Sequence, residues 1–284
     1  MESEEIHSWV SEEEGPGADA MVPIFRKSGY YTIVLYTYSG RSRRYGWQKD
    51  DYTDGMLLCA APIDPKTETI RTAIRALSLK GKLLAFRPDV FRGTPLEKDF
   101  LRYTFFCYRE SEALHLSLRE RGVIEECMGA IGDETRNGVD EFSRSLLAKR
   151  IGLLLDYIVR FYERQFITRC LSVQKTVERY ESIIKEGIAE QGMGMCDNLS
   201  LRVCAGQLGI SEAYLEDLLR EETGLSHKEY VNRQCVLFAE RLLRETDFSL
   251  ARIAVMTGFP TVQSFVRFFQ KAVGCSPDRY RYSC

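Results

Sequence analysis

The stretch "TGFPTVQSFVRFFQKAVGCSPDRYR", residues 257–281, is built on the skeleton Gly258, Phe265, Phe269, Gly274 and Tyr280. Upstream, "LGISEAYLEDLLREETGLSHKEYV", residues 208–231, repeats that skeleton as Gly209, Leu215, Leu219, Gly224 and Tyr230. The offset is 49 residues at the first glycine and 50 beyond it, so the second turn is one residue longer and holds Pro260. In each copy a small residue (Ala205, Ala254) precedes a turn glycine and then a helix with apolar residues at i and i+4. The alanine admits a close helix contact, the glycine admits a tight turn, and Ser200, Ser211 and Ser249 are suited to cap helix N-termini. One copy would be an ordinary helical hairpin. Two in register predict paired helix-turn-helix units, with a bundle carrying a chance repeat as the bland alternative.

The apolar spacing divides each second helix into two sides. In the second unit Phe265, Phe268 and Phe269 face the core, leaving Thr261, Val262, Gln263, Ser264, Arg267 and Lys271 as outward candidates for contact with DNA. Arg can bond guanine twice and Gln can bond adenine twice, so Gln263 and Arg267, one turn apart, suit base reading, and Val262 suits a thymine methyl. In the first unit Leu215, Leu218 and Leu219 form the core, and Ala213, Glu216, Asp217 and Arg220 are the corresponding candidates. The charges differ sharply: residues 246–284 hold five cations and two acids, residues 199–245 six cations and eight acids. Phosphates repel carboxylates, although Glu or Asp can accept from cytosine. The second unit is therefore expected to anchor, and the first to add selectivity or to present only an acidic solvated face. Between them "HKEYVNRQCVLFAERLLRE" reads as one helix about 27 Å long at about 1.5 Å per residue.

Outside this region the pattern changes twice. Between Tyr30 and Phe106, "YYTIVLYTYSG", "RRYGWQ", "GMLLCAAP", "KLLAFRPDV" and "LRYTFFCY" read as short strands separated by turns. From Ser111 the spacing becomes helical. In "DEFSRSLLAKRIGLLLDYIVRFYERQF" Phe142, Leu146, Leu147, Ile151, Leu154, Leu155, Ile158 and Phe161 share a broad face, with Ile151, Leu155 and Ile158 the expected seam of a dimer. A third helix, "SVQKTVERYESIIKEGI", precedes the Gly- and Met-rich "AEQGMGMCDN". The fold class is thus α+β, in four parts: an acidic, mobile tail (1–20); a β-rich barrel or sandwich with a helical dimerisation segment (21–190); a linker (191–198); and an all-α domain (199–284).

Residues 199–281 resemble the paired helix-turn-helix DNA-binding domain of the AraC/XylS transcription regulators, on "LSLRVCAGQLGIS", "YLEDLLREETGLSHKEYV", "RLLRETDFSLARIAVMTGF" and "SFVRFFQKAVGCSPDRYR". The layout before them is similar to that of members with a cupin-like sensing and dimerisation domain. The resemblance implies sequence-specific binding of double-stranded DNA, control of transcription, commonly as an activator in contact with RNA polymerase, a homodimer, and a small-molecule effector. The acids at Glu216 and Asp217 depart from that family's usual neutral or basic groups.

Composition bounds the alternatives. The chain has 284 residues, 44% hydrophobic and 28% charged, with a formal net charge of −2. It can bury a core, and any attraction to nucleic acid must be local. Nine irregularly spaced cysteines without C-x-x-C suit reduced thiols, and the first twenty residues, with seven acids and no Lys or Arg, do not fit a secretory signal. No apolar run is long enough to span a membrane, so a cytoplasmic location is expected. Three histidines (His7, His115 and His227) make no metal cluster, and no P-loop, G-x-G-x-x-G, G-x-S-x-G or H-E-x-x-H occurs. Neither a cofactor nor an enzyme is expected. A β domain that binds or converts a small molecule beside a DNA domain that has lost activity is the rival. Tyr36, Tyr38, Tyr45 and Trp47 are the expected walls of a ligand cavity, and Arg41, Arg43 and Arg44 could meet an anion.

Overall fold

Residues 7–10, 26–37, 46–62, 80–136, 141–190 and 199–283 are described by a computed structural model. The chain forms two compact units, Met1–Cys170 and Leu171–Cys284.

The first unit is built on an antiparallel sheet of β1 (His7–Val10), β2 (Tyr31–Thr37), β3 (Gly55–Ala60), β4 (Lys80–Phe86) and β5 (Leu114–Leu116), in the order β1-β4-β2-β3-β5. Its central strand, "YTIVLYT", is buried along both faces, which is why it reads as an apolar run rather than an alternation. One face carries Ile33, Leu35, Leu57, Leu84 and Phe86 into a core shared with α1 (Leu118–Arg136) and α2 (Glu141–Thr168). The described strands form one open sheet, not the closed cupin-like barrel expected.

Three further expectations are corrected here. His7–Val10, placed in a mobile tail, forms β1 and pairs with β4; the rest of 1–20 lies outside the described residues. "LRYTFFCY" is not a strand. Phe100–Arg102 and Thr104–Cys107 make 3₁₀ turns: three of the buried rings, Phe100, Tyr103 and Phe106, recur every three residues, which one side of a tight helix satisfies and a pleated strand does not, and Phe105 is buried beside them. Phe100 and Phe106 then pack edge-on against Tyr31, at 4.9 Å between centroids in each case. Finally, Ile151, Leu155 and Ile158 are not an open seam: all three are fully buried within their own unit.

The C-terminal end of α2 is tied to the sheet by polar bonds. Gln165 uses both ends of its amide to complete the backbone around β5: its oxygen accepts from the His115 N–H at 2.7 Å and its nitrogen donates to Ala113 O at 3.1 Å. One residue beyond the helix, Arg169 donates to both oxygens of Asp51, at 2.8 and 2.6 Å, and to Gly46 O at 3.2 Å. Asp51 also accepts from the Gln48 N–H at 2.7 Å, and the ion pair is buried, its side chains 2% and 0% exposed.

The second unit begins with α3 (Cys170–Glu190), the helix expected to close the first domain. The boundary falls at Cys170/Leu171 rather than within 191–198, which lie outside the described residues. Its Tyr180, Ile184 and Ile188, spaced i, i+4 and i+8, enter one core with Leu199, Cys204, Leu215 and Leu219. The helices that follow are α4 (Leu201–Leu208), α5 (Glu212–Thr223), α6 (His227–Glu245), α7 (Leu250–Met256), α8 (Val262–Val273) and α9 (Pro277–Ser283).

Candidate nucleic-acid interface

The repeat seen in sequence is repeated in hydrogen bonds. Ser200, Ser211 and Ser249 each accept a backbone N–H of the first turn they precede. At the first turn Gly209 takes φ 75°, and Ile210 N–H returns to Ala205 O at 3.1 Å. At the second Gly258 takes φ 79°, and Phe259 N–H returns to Ala254 O at 2.8 Å. Only glycine adopts this left-handed conformation without strain, so the same residue closes both α4 and α7. Each hairpin then buries its own core: Leu215 and Leu219 in the first, Phe265 and Phe269 in the second, with Phe238 of α6 packed against both. The connector is one helix of 19 residues, about 28 Å at 1.5 Å per residue.

In α8 the buried side is Phe265 and Phe269, and Gln263, Arg267 and Lys271 are exposed on the other. None of those three makes a hydrogen bond or ion pair among the described residues. No carboxylate interrupts "VQSFVRFFQKAV". Thr261 and Ser264 are engaged in a capping box instead: Ser264 N–H donates to Thr261 Oγ1 at 3.1 Å and Thr261 N–H to Ser264 Oγ at 3.3 Å. They fix the start of the helix. Val262 is partly exposed beside Gln263.

The first hairpin departs from expectation at Glu216. Its side chain reaches forward to the next helix, where Oε2 accepts the His227 N–H at 3.0 Å, and Oε1 accepts from Arg220 at 3.1 Å. The carboxylate thus satisfies one of the unpaired donors at the start of α6 and complements that helix's positive end. Glu216 ties α5 to α6, and it occupies Arg220 as well. Ala213 and Asp217 are half-buried on the same helix.

His227, missed as a site residue, joins three elements. Its Nε2 lies 2.8 Å from Leu199 O and its Nδ1 2.9 Å from the Tyr180 hydroxyl. A carbonyl can only accept, so the proton sits on Nε2, and Nδ1 accepts from Tyr180. Burial holds the imidazole below its usual titration range, against the opposing pull of the Leu199 carbonyl and Glu216. Beside it the Tyr230 hydroxyl donates to Glu181 at 2.8 Å, and burial and that carboxylate push Tyr230 up to about 12. The i, i+4, i+8 spacing of Tyr180, Ile184 and Ile188 was the signal that α3 packs here.

In the first unit a cavity of about 250 Å³ is lined by Arg26, Thr32, Val34, Tyr36, Tyr108 and Arg109, among others. Of the expected walls, Tyr36 lines it and Trp47 does not; Tyr38 and Tyr45, with Arg41, Arg43 and Arg44, lie outside the described residues. Among the described residues no cluster of three metal-ligating side chains occurs, and no helix is long and apolar enough to cross a membrane.

Two helix-turn-helix hairpins on a common connector define the class of the second unit. Residues 204–283 match the family described as "Helix-turn-helix domain", and the unit is an AraC-type helix-turn-helix domain. The chain is 29% identical over 110 residues to the HTH-type transcriptional activator AarP of Providencia stuartii, a match covering 39% of this chain and 82% of AarP. It is 28% identical over 102 residues to the regulatory protein PocR of Salmonella typhimurium, covering 36% of this chain but only 34% of PocR. The DNA-binding domain of AdpA, solved in complex with a target DNA, aligns over 37% of this chain and 90% of that chain at 22% identity, with a TM-score of 0.32.

Proposed function

We propose that this chain is a sequence-specific, double-stranded-DNA-binding transcription regulator in which α8 is the anchor in the major groove. The observation that carries the reading is the exposed face of Gln263, Arg267 and Lys271, free of internal partners among the described residues and backed by Phe265 and Phe269. Successive major-groove windows lie about 34 Å apart, within reach of the connector and its flanking turns. The first hairpin then binds less strongly, since Glu216 and Arg220 are occupied with each other. The names of AarP and PocR support a regulator, and the first an activator; contact with RNA polymerase is part of the same proposal. The reading extends to a cytoplasmic homodimer without enzymatic activity, whose N-terminal β unit, in a cupin-like role, senses a small molecule in the Arg26–Arg109 cavity.

Selection of bound sequences from random duplexes, followed by anisotropy measurements with the parent and Arg267→Ala, tests the core of this. Reading a guanine predicts a loss of roughly 1–3 kcal/mol on the selected site and relaxed preference at one base pair. A phosphate contact predicts an equal loss on all sequences and a salt slope smaller by about one. Unchanged binding to both DNAs refutes α8 as the anchor.

A further inference from the structure

The cavity of the first unit has walls and charge of different kinds. On β2 the side chains of Ile33 and Leu35 enter the core, and those of Thr32, Val34 and Tyr36, alternating with them, line the cavity. Leu58, Ala60, Phe106 and Ala113 add apolar wall. Two of its hydroxyls are turned to the backbone: Thr32 Oγ1 donates to Ala60 O at 3.5 Å, and the Tyr162 hydroxyl donates to Glu112 O at 3.3 Å. Against these walls stands the guanidinium of Arg26, half-buried and fixed by its Nε–H, which donates to Ala61 O at 2.7 Å. The N–H bonds on its two terminal nitrogens have no acceptor among the described residues. Burial works against its charge and lowers its pKa, with Glu110 acting the other way. A guanidinium stays protonated at neutral pH all the same, so Arg26 is a partly desolvated cation with open donors.

Resting on the reading of this cavity as a sensing site, we infer that its ligand is a small monocarboxylic acid with an apolar body, its carboxylate held by the fork of Arg26. With Nε committed to Ala61, the two terminal nitrogens are left to meet the two carboxylate oxygens in parallel. Charge sets the valence. The charged side chains lining the cavity are Arg26, Arg109 and Glu110, two cations and one acid. A monoanion cancels their balance, whereas a phosphate dianion would leave the site negative beside Glu110. The walls set the body. A sugar would bring several hydroxyls against apolar side chains and lose their bonds to water, while a ring or a short branched chain loses nothing there. Volume sets the size: at an interior packing density of about 0.74, a cavity of about 250 Å³ takes about ten non-hydrogen atoms.

Titration calorimetry and thermal melts of the full chain test the assignment with benzoate, benzamide, benzylamine and glucose as probes. The melts are read by the fluorescence of Trp9 and Trp47, both in the first unit. Benzoate is expected to bind once per chain and to raise the melting temperature. Benzamide, of the same shape but neutral, is expected to bind at least about tenfold more weakly, as neutral hydrogen bonds replace charged ones. Benzylamine and glucose are expected not to bind. Arg26→Gln is expected to weaken benzoate about ten- to a hundredfold and benzamide far less. Arg26→Lys, which keeps the charge and loses the fork, should fall between parent and Arg26→Gln. Ala60→Phe, which fills the cavity, should abolish binding of both. Benzamide bound as tightly as benzoate, benzoate indifferent to Arg26→Gln or to Ala60→Phe, or no binding by any probe at about 5 mM overturns the inference. The ranking of the four probes on the parent chain decides the matter if Arg26→Gln does not fold. Anisotropy with duplex DNA on the same samples separates the readings. A chain that binds benzoate but no DNA overturns the regulator reading alone, and one that binds DNA but prefers benzamide or glucose overturns the carboxylate assignment alone.

Discussion

Replacing Arg169 by Ala should destabilise the first unit by about 3–5 kcal/mol, the usual cost of stranding one member of a buried ion pair. The structure places this case at the upper end. The Asp51 carboxylate is fully buried, it loses two bonds of 2.6 and 2.8 Å, and the Gln48 N–H is the remaining donor at 2.7 Å, with His115 Nε2 at 3.9 Å. Against a typical domain stability of about 5–15 kcal/mol, that is a third or more of the total. Exchanging both partners for apolar residues, Asp51→Leu with Arg169→Met, should recover at least half, because no charge is then left without water. The half-buried Gly46 and Gln48 backbone groups account for the remainder. Urea unfolding read by tryptophan fluorescence isolates the effect: the two tryptophans, Trp9 and Trp47, both belong to the first unit, and Trp47 sits between the two bonded backbone groups. A loss below about 1 kcal/mol for Arg169→Ala, or a double variant no better than the single, would refute the reasoning.

Glu216→Gln keeps an acceptor for the His227 N–H but removes its charge and releases Arg220, so the second unit should lose about 1 kcal/mol in circular-dichroism melts while nonspecific DNA affinity rises; unaltered stability would show that the tie is idle. The second unit should also weaken in mild acid. The folded His227 titrates below the unfolded value of about 6.5, so the folded state binds fewer protons; stability is complete above that pH and is lost as pH falls toward the folded value. Melts between pH 7.5 and 5.5 should show this loss in the parent and not in His227→Gln, and identical pH profiles would exclude His227 as its source.

The duplicated unit was legible because its determinants are local. Caps at Ser200, Ser211 and Ser249, left-handed turns at Gly209 and Gly258 and apolar i, i+4 pairs act within a few residues of themselves, and all occur where the sequence places them. Strands β2, β3 and β4 were legible from β-branched and apolar runs between turns. What escaped depends on partners distant in sequence. Glu216 reads as an outward acid by helical spacing, and only the arrival of α6 makes it a cap. In α2 apolar residues lie on both sides, so spacing alone could not say that Ile151 and Leu155 turn inward while Phe142 and Leu153 remain outside. The segment 100–107 is rich in strand-forming residues, but rings recurring at nearly three residues favour tight turns over a pleat.

The position of α3 bears on how this protein can be cut and recombined. A fragment or gene fusion joined at the linker would carry both hairpins and still leave behind Tyr180, Ile184 and Ile188, opening a face over Leu199, Cys204 and Tyr230 and depriving His227 of its hydroxyl donor. The portable module begins at Leu171. Exchange of N-terminal units between related chains would preserve it only with a crossover at the end of α2, where the Arg169 clamp closes one unit and the next residues open the other.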